Sequence, residues 1–239
     1  LRGKRVLVTG GGSGIGAGIV GGFARQGADV TFFDVTNGES HGLAAKAGAR
    51  YVENDLTDIS ATKRTIARLA EESGAFDVLV NNAANDDRHS IDEVTEDYWE
   101  NRLNVNLKHL FFCSQAVVPG MRDKGGGAIV NLGSISWHLA LPDLVLYQTC
   151  KAAIEGMTRA CARDLGPDDI RVTCVVPGNV RTPRQLKWYT PEGEAEIVDA
   201  QCHKGRIVPE DIAAMVLFLA SDDARLTTGH EYWVDAGWR

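Results

Sequence analysis

Several things are scarce in this chain, and each scarcity removes a class of answer. No stretch of 18 consecutive apolar residues occurs in its 239 residues, so a membrane-spanning helix is excluded from the reading. The opening Leu-Arg-Gly-Lys-Arg passes straight into an apolar run without a signal-peptide h-region, which points to a cytoplasmic protein. The chain does not begin with Met, so a few leading residues are expected to precede it. Proline is sparse, 7 against 26 glycines, a balance that suits tight turns rather than disorder. The five cysteines (Cys113, Cys150, Cys161, Cys174, Cys202) form no C-x-x-C and no even framework, and read as buried free thiols of a reducing compartment. His41, His89, His109, His138, His203 and His230 show no ligand spacing, so no metal is expected. Positive charge is also in deficit: the formal net charge is −7 and the Lys and Arg are scattered, which argues against nucleic acid or an anionic membrane as partner.

What the chain does have is alternation. Arg5 to Thr9 is a short β-branched run, followed at once by Gly10-Gly-Gly-Ser13-Gly14-Ile15-Gly16 and then a helical pattern through Ile19, Val20 and Phe23. Glycine lets the backbone approach a pyrophosphate closely, and the helix that follows offers free N–H groups and the positive end of its dipole. A plain flexible turn is the alternative. A second strand, Asp29 to Asp34, ends in a carboxylate 18 residues beyond Gly16, close to the roughly 20-residue offset at which an acid meets the adenosine ribose in such folds. A carboxylate there accepts from both ribose hydroxyls of NAD and repels the 2′-phosphate of NADP, and no Lys or Arg follows in Val35 to Gly38 to rescue that phosphate. NAD is therefore the expected cofactor; an ordinary polar strand end is the alternative.

The pattern continues with strands near Arg50 to Glu53, Phe76 to Val80, Ala128 to Leu132 and Ile170 to Val176, separated by helices Ser60 to Glu72, Glu96 to Val118 and Leu144 to Leu165. A helix over Asp211 to Leu219 leads to a last strand, Glu231 to Val234. This predicts one α/β domain over residues 1–239, a doubly wound, mostly parallel seven-stranded sheet of Rossmann type with ligand at the strands' carboxyl ends. Just past those ends lie Asp55-Leu56, Asn81-Asn82-Ala83-Ala84, Ser134 and Pro177-Gly178-Asn179. Residues 181–208, of mixed charge and without a strand, read as a lid over the site. Tyr147 and Lys151, four apart in a helical pattern, share a face, and with Ser134 at the preceding strand end they form a candidate proton-transfer unit. By itself that spacing is weak.

Taken together and in order, Thr9-Gly10-x-x-x-Gly14-x-Gly16, Asn81-Asn82-Ala83, Asn106, Ser134, Tyr147-x-x-x-Lys151 and Pro177-Gly178 resemble the short-chain dehydrogenase/reductase family over essentially the whole chain. Three positions depart from its usual pattern: Ala84 for Gly, Gly133 for Ser, and Ala236 within a usual Gly-Gly. The resemblance implies that Tyr147 is the base, that Ser134 fixes the reacting oxygen, that Lys151 also bonds the nicotinamide ribose, and that Asn106 holds a water linked to Lys151. It also implies cofactor contacts from Gly10, Ser13, Gly14, Ile15, Gly16, Asp34, Asp55, Leu56, Asn82, Ala83, Pro177, Gly178, Val180 and Thr182 beside Tyr147 and Lys151, and assembly into homotetramers through helices Glu96 to Val118 and Leu144 to Leu165.

Asn85 to His89, Ser136 to His138, Trp188 to Gly193 and Gly229 to Trp233 look most like the NAD-dependent aldose 1-dehydrogenase branch of that family, which implies oxidation of a pentose such as D-xylose or L-arabinose at C1 to the lactone. A sugar wants hydrogen-bonding groups and an aromatic face. Asn85, Asp86, Ser136, His138, Gln148, Asn179 and Trp188 supply such chemistry, and Ser134 and Tyr147 complete the expected sugar contacts. A cation about 4 Å from the phenol, at an effective dielectric near 20, contributes roughly 4 kcal/mol, about three pKa units, so Lys151 is expected to bring Tyr147 toward neutrality. A dehydrogenase or reductase of another small polyol or carbonyl compound, or a non-catalytic dinucleotide-binding protein, remains open at this point.

Overall fold

The computed structural model describes every residue except Thr36, Trp188 and Arg239, and for Asn37, Gly38 and Lys187 the backbone only. Seven strands, β1 (Arg5–Thr9), β2 (Asp29–Asp34), β3 (Arg50–Glu53), β4 (Val78–Asn81), β5 (Gly127–Leu132), β6 (Ile170–Pro177) and β7 (Glu231–Val234), lie in the order β3-β2-β1-β4-β5-β6-β7. Every neighbouring pair is parallel. The strand order reverses between β1 and β4, where an open α/β sheet leaves a crevice at its carboxyl edge.

Both faces of the central strands are covered, which is why β1, β4 and β5 read as near-continuous apolar runs. Along β1, Val6 and Val8 point to one layer, with Ile19, Phe23 and Val216 from α1 (Gly14–Arg25) and α8 (Pro209–Ala220). Leu7 points to the other, with Ile66, Leu69 and Val117 from α3 (Ile59–Ser73) and α5 (His109–Asp123). Among the described residues no helix is long and apolar enough to cross a membrane.

Three elements differ from the sequence expectation. Helix α2 (Asn37–Ala47) fills the β2–β3 crossover although Asn-Gly-Glu-Ser-His-Gly carries no apolar stripe; among its described apolar residues Leu43, Ala44 and Ala47 rest on the core. The parallel pairing of β2 and β3 demands a crossover there whatever the local propensity. The helix expected over Glu96 to Val118 is α4 (Glu96–Leu103), a π-helical turn over Asn104–Lys108, then α5, which runs through Pro119 to Asp123. Within 181–208 lies α7 (Pro191–Ala200), capped by Thr190 Oγ1, which accepts from Gly193 N–H at 3.2 Å.

Candidate active site

At the reversal point the loop after β1 is shaped by backbone crowding. Gly10 has φ +64°, and a Cβ there would meet Ala83 Cα at 2.7 Å; a Cβ on Gly16 would run into the Gly10 carbonyl. Thr9 and Asn82 brace the same turn: Thr9 Oγ1 accepts from the N–H groups of Asn82 (3.0 Å) and Ala83 (3.2 Å), while Asn82 Nδ2 donates to the carbonyls of Thr9 (3.0 Å) and Gly10 (2.8 Å). The Asp34 carboxylate accepts from Gly12 N–H at 2.9 Å, so the acid that ends β2 is held against the glycine loop.

Helix α6 (Val145–Leu165) carries Tyr147 and Lys151 one turn apart. Its N-terminus lacks a side-chain cap of its own, and buried His89 supplies one from the loop after β4, with Nε2 accepting from Leu146 N–H at 3.3 Å. Ser134 stands at the end of β5 and opens a 3₁₀ turn, Ile135–Trp137. Its Oγ accepts from Ser136 N–H (3.1 Å) and donates to Ser136 Oγ (2.9 Å). Lys151 is buried, donates to the Leu132 carbonyl at 2.7 Å, and lies 5.4 Å from the centre of the Tyr147 ring. Burial lowers the ammonium to about 8.

The phenol departs from the sequence reasoning. Burial pushes Tyr147 up from its ordinary value, the Asp86 carboxylate adds to that, and the Ser134 hydrogen bond and the Arg184 guanidinium pull against it. Lys151, engaged with a carbonyl, does not offset the cost of burying the phenolate. Desolvation outweighs the attraction that a 4 Å estimate allows.

The π-helical turn rotates Asn106 fully inside, where its Oδ1 accepts from Asn85 N–H at 2.7 Å while Nδ2 has no protein partner. Below it His109, fully buried with Nε2 3.2 Å from the Ala83 carbonyl, is lowered to about 4, by burial first, and stays neutral.

Ser134, Tyr147 and Lys151 border one cleft of about 610 Å³, whereas Asn106 and His109 do not line it. It brings together all the expected cofactor residues, Gly10, Ser13, Gly14, Ile15, Gly16, Asp34, Asp55, Leu56, Asn82, Ala83, Pro177, Gly178, Val180 and Thr182, with Ser134, Tyr147 and Lys151, and of the expected sugar contacts Asn85, Ser136 and Asn179. It does not bring in His138 or Gln148. His138 stacks between Trp137 (3.7 Å) and Trp233 (4.2 Å) with Nε2 3.1 Å from the buried Glu155 carboxylate, and Gln148 Nε2 donates to the Leu141 carbonyl at 2.5 Å. Trp188 lies outside the described residues. The segment 137–144 walls the cleft with leucines, Leu139, Leu141 and Leu144, rather than with polar groups. Sequence reasoning named Asp86 and missed Arg184, Gln185 and Tyr189, which line the cleft from 181–208 and carry no local signal. Gly133, a departure from the family pattern, has a packing reason: a Cβ there would meet Cys174 Sγ at 2.9 Å.

A family model described as enoyl-(acyl carrier protein) reductase matches residues 10–239. A short-chain type dehydrogenase/reductase from Mycobacterium ulcerans superposes with a TM-score of 0.94 at 25% identity, covering 100% of this chain and 90% of that one. A second structure, a short chain dehydrogenase/reductase family protein, gives 0.88 at 34% identity over 99% and 97%. The chain belongs to the short-chain dehydrogenase/reductase family. It is an oxidoreductase that uses a nicotinamide dinucleotide. Among its relatives, D-xylose 1-dehydrogenase from Caulobacter vibrioides is 66% identical over 244 residues, covering 100% of this chain and 97% of that protein. A protein named probable galactose dehydrogenase from Rhizobium meliloti is 44% identical, covering 99% and 95%.

Proposed function

We propose that this enzyme oxidises an aldose, D-xylose foremost, at C1 to the sugar lactone with NAD. The observation that carries the reading is a full-length identity of 66% to a D-xylose 1-dehydrogenase on a chain whose cleft joins Ser134, Tyr147 and Lys151 to a polar rim. The residues present fit a dinucleotide. A turn that admits no Cβ at Gly10 or Gly16 leaves room for a pyrophosphate at the start of α1, and a carboxylate at the end of β2, held against that turn, supports an adenosine ribose rather than a 2′-phosphate. NAD over NADP follows from that charge.

A nicotinamide held by these residues would supply the acceptor for the hydride of C1. Tyr147 takes the proton of the C1 hydroxyl, and Ser134 donates a hydrogen bond to the same oxygen and fixes its position. The charged form of Lys151 favours the phenolate, and Lys151 would also hold the nicotinamide ribose. Asn106 holds a water on the path from Lys151 to solvent, consistent with a buried Nδ2 that has no protein partner. The leucine wall suits the C–H face of a sugar ring, and Asn85, Ser136 and Asn179 suit its hydroxyls. Residues 181–208 act as the lid. The enzyme works in the cytoplasm as a homotetramer paired through α4, α5 and α6, whose surface exposes Trp99, Phe111 and Val145.

The test is NADH absorbance across a panel of pentoses, hexoses, small polyols and ketones with NAD and then NADP, with Tyr147→Phe as control. D-xylose or L-arabinose with NAD should lead, and Tyr147→Phe should lose about a thousandfold or more in kcat while still binding NAD. Turnover confined to a non-sugar alcohol or ketone would replace the substrate, and substantial activity in the Phe variant would remove Tyr147 from the base role.

A further inference from the structure

The segment between β6 and α8 is pinned at its ends and held over the cleft by polar side chains. Its ends meet where Arg181 N–H donates to the Ile207 carbonyl at 2.8 Å, beside a Val180–Ile207 bridge. Between them it reaches across to the loop after β4. Arg184 Nε lies 2.8 Å from Asp86 Oδ1, and its Nη2 lies 2.8 Å from Asp87 Oδ1 and 3.0 Å from Asn85 Oδ1. Gln185 Nε2 donates to Asp86 Oδ2 at 3.0 Å, and Arg102 of α4 holds the other oxygen of Asp87 at 3.0 Å. From Gln185 the chain runs on: its Oε1 accepts from Tyr189 Oη (2.8 Å), Asn179 Nδ2 donates to that hydroxyl (2.6 Å), and Arg206 Nη2 donates to Asn179 Oδ1 (3.0 Å). A continuous line of hydrogen bonds thus spans the cleft from the β4 side to the β6 side.

Asp86 and Arg184 are 31% and 50% exposed, and exposed pairs of this kind add little to stability. Such a contact opens at low cost, as entry to the cleft requires. The same two charges act with opposite sign on the Tyr147 phenol: Asp86 disfavours its ionisation and Arg184 favours it. The other groups that face the phenol, Ser134 from the end of β5 and Cys150 and Lys151 from its own helix, belong to the body of the protein and do not depend on where 181–208 lies.

We propose that Arg184 is a positioning residue whose pairing with Asp86 couples closure of the 181–208 segment to the competence of Tyr147 as proton acceptor. With the segment closed, the guanidinium neutralises a carboxylate that lines the same cleft as the phenol. With it displaced, Asp86 loses that partner and proton transfer is held back until the cleft is shut. This rests on Tyr147 being the base, as proposed above.

The test compares Arg184→Gln, Asp86→Asn, Arg184→Lys and the Asp86→Asn/Arg184→Gln pair with the wild type. The kcat/KM pH profile for the best aldose should move its acid limb toward alkaline pH in Arg184→Gln by about half a unit or more, roughly threefold in rate below the limb. The double variant should return the limb to its wild-type place while KM stays high, and Arg184→Lys should keep the limb and raise only KM. Hydrogen exchange over 181–190 should rise in both Asp86→Asn and Arg184→Gln. A higher KM and faster exchange with an unmoved limb would reduce the latch to a structural tie and overturn the coupling. Should the wild type oxidise no aldose, the reading under Proposed function falls. The coupling is then decided without substrate, by tyrosinate absorbance titration of each NAD-loaded variant minus the same variant carrying Tyr147→Phe.

Discussion

On the dinucleotide side of the cleft, backbone meets backbone: the Gly16 position faces the Gly10 carbonyl, Gly10 faces Ala83, and Thr9 and Asn82 tie the turn with four hydrogen bonds among themselves and their neighbours. On the side proposed for the sugar, Asp86, Arg184, Gln185, Tyr189 and Asn179 hold one another through side-chain atoms alone. Backbone packing tolerates almost no change without moving the main chain, whereas a side-chain network can be rewritten one residue at a time. The first arrangement suits a ligand common to a whole family. The second suits a substrate that differs from member to member.

The sharpest way to break the contrast is Gly16→Ala. One methyl group aimed at a backbone carbonyl forces the turn to shift, so NAD affinity should fall by about a hundredfold, roughly 3 kcal/mol, in a fluorescence titration. A change below threefold would mean that the turn is as adaptable as the opposite wall. Asp34→Asn comes next: it keeps an acceptor for Gly12 N–H while removing the charge, and the NAD-to-NADP ratio of kcat/KM should narrow by about tenfold or more. An unchanged ratio would take cofactor choice away from Asp34.

The same contrast explains what could be read without coordinates. The seven strands and their doubly wound arrangement were legible because two-sided burial writes the central strands as apolar runs and the strand ends carry small or polar residues. Tyr147 and Lys151 were legible because helical spacing is local. Helix α2 was not, since nothing in its composition marks an apolar face, nor was the π-helical turn that buries Asn106. Arg184 meets Asp86 across 98 residues of chain, a pairing set by the fold alone, and so is the burial that raises Tyr147, on which these two charges act with opposite sign. His138 read as a sugar contact from its place after Ser134, yet the two tryptophans and Glu155 draw it elsewhere.

The smallest effect tests whether the backbone on the substrate side is itself relaxed. Ala236 has φ +54°, in the left-handed region, immediately before Gly237, where a Cβ would meet Cys202 Cβ at 2.8 Å. This tail, anchored by His203 N–H donating to the Ala236 carbonyl at 3.0 Å, carries Trp238 to the rim of the cleft. A left-handed alanine costs about 1–2 kcal/mol, and a glycine there gives back about 0.4–1 kcal/mol through the freer unfolded chain, so Ala236→Gly should stabilise by about 0.5–1 kcal/mol. For a chain of this size that is a rise of roughly 1–4 °C in Tm, readable by calorimetry. If Tm rises and the KM for sugar rises with it, the strain is spent on holding Trp238 against the cleft. If Tm rises with KM unchanged, the strain serves nothing at the site. A fall in Tm would show that the methyl group's packing outweighs the backbone cost, and the substrate side would then owe its shape to main chain as well as to side chains.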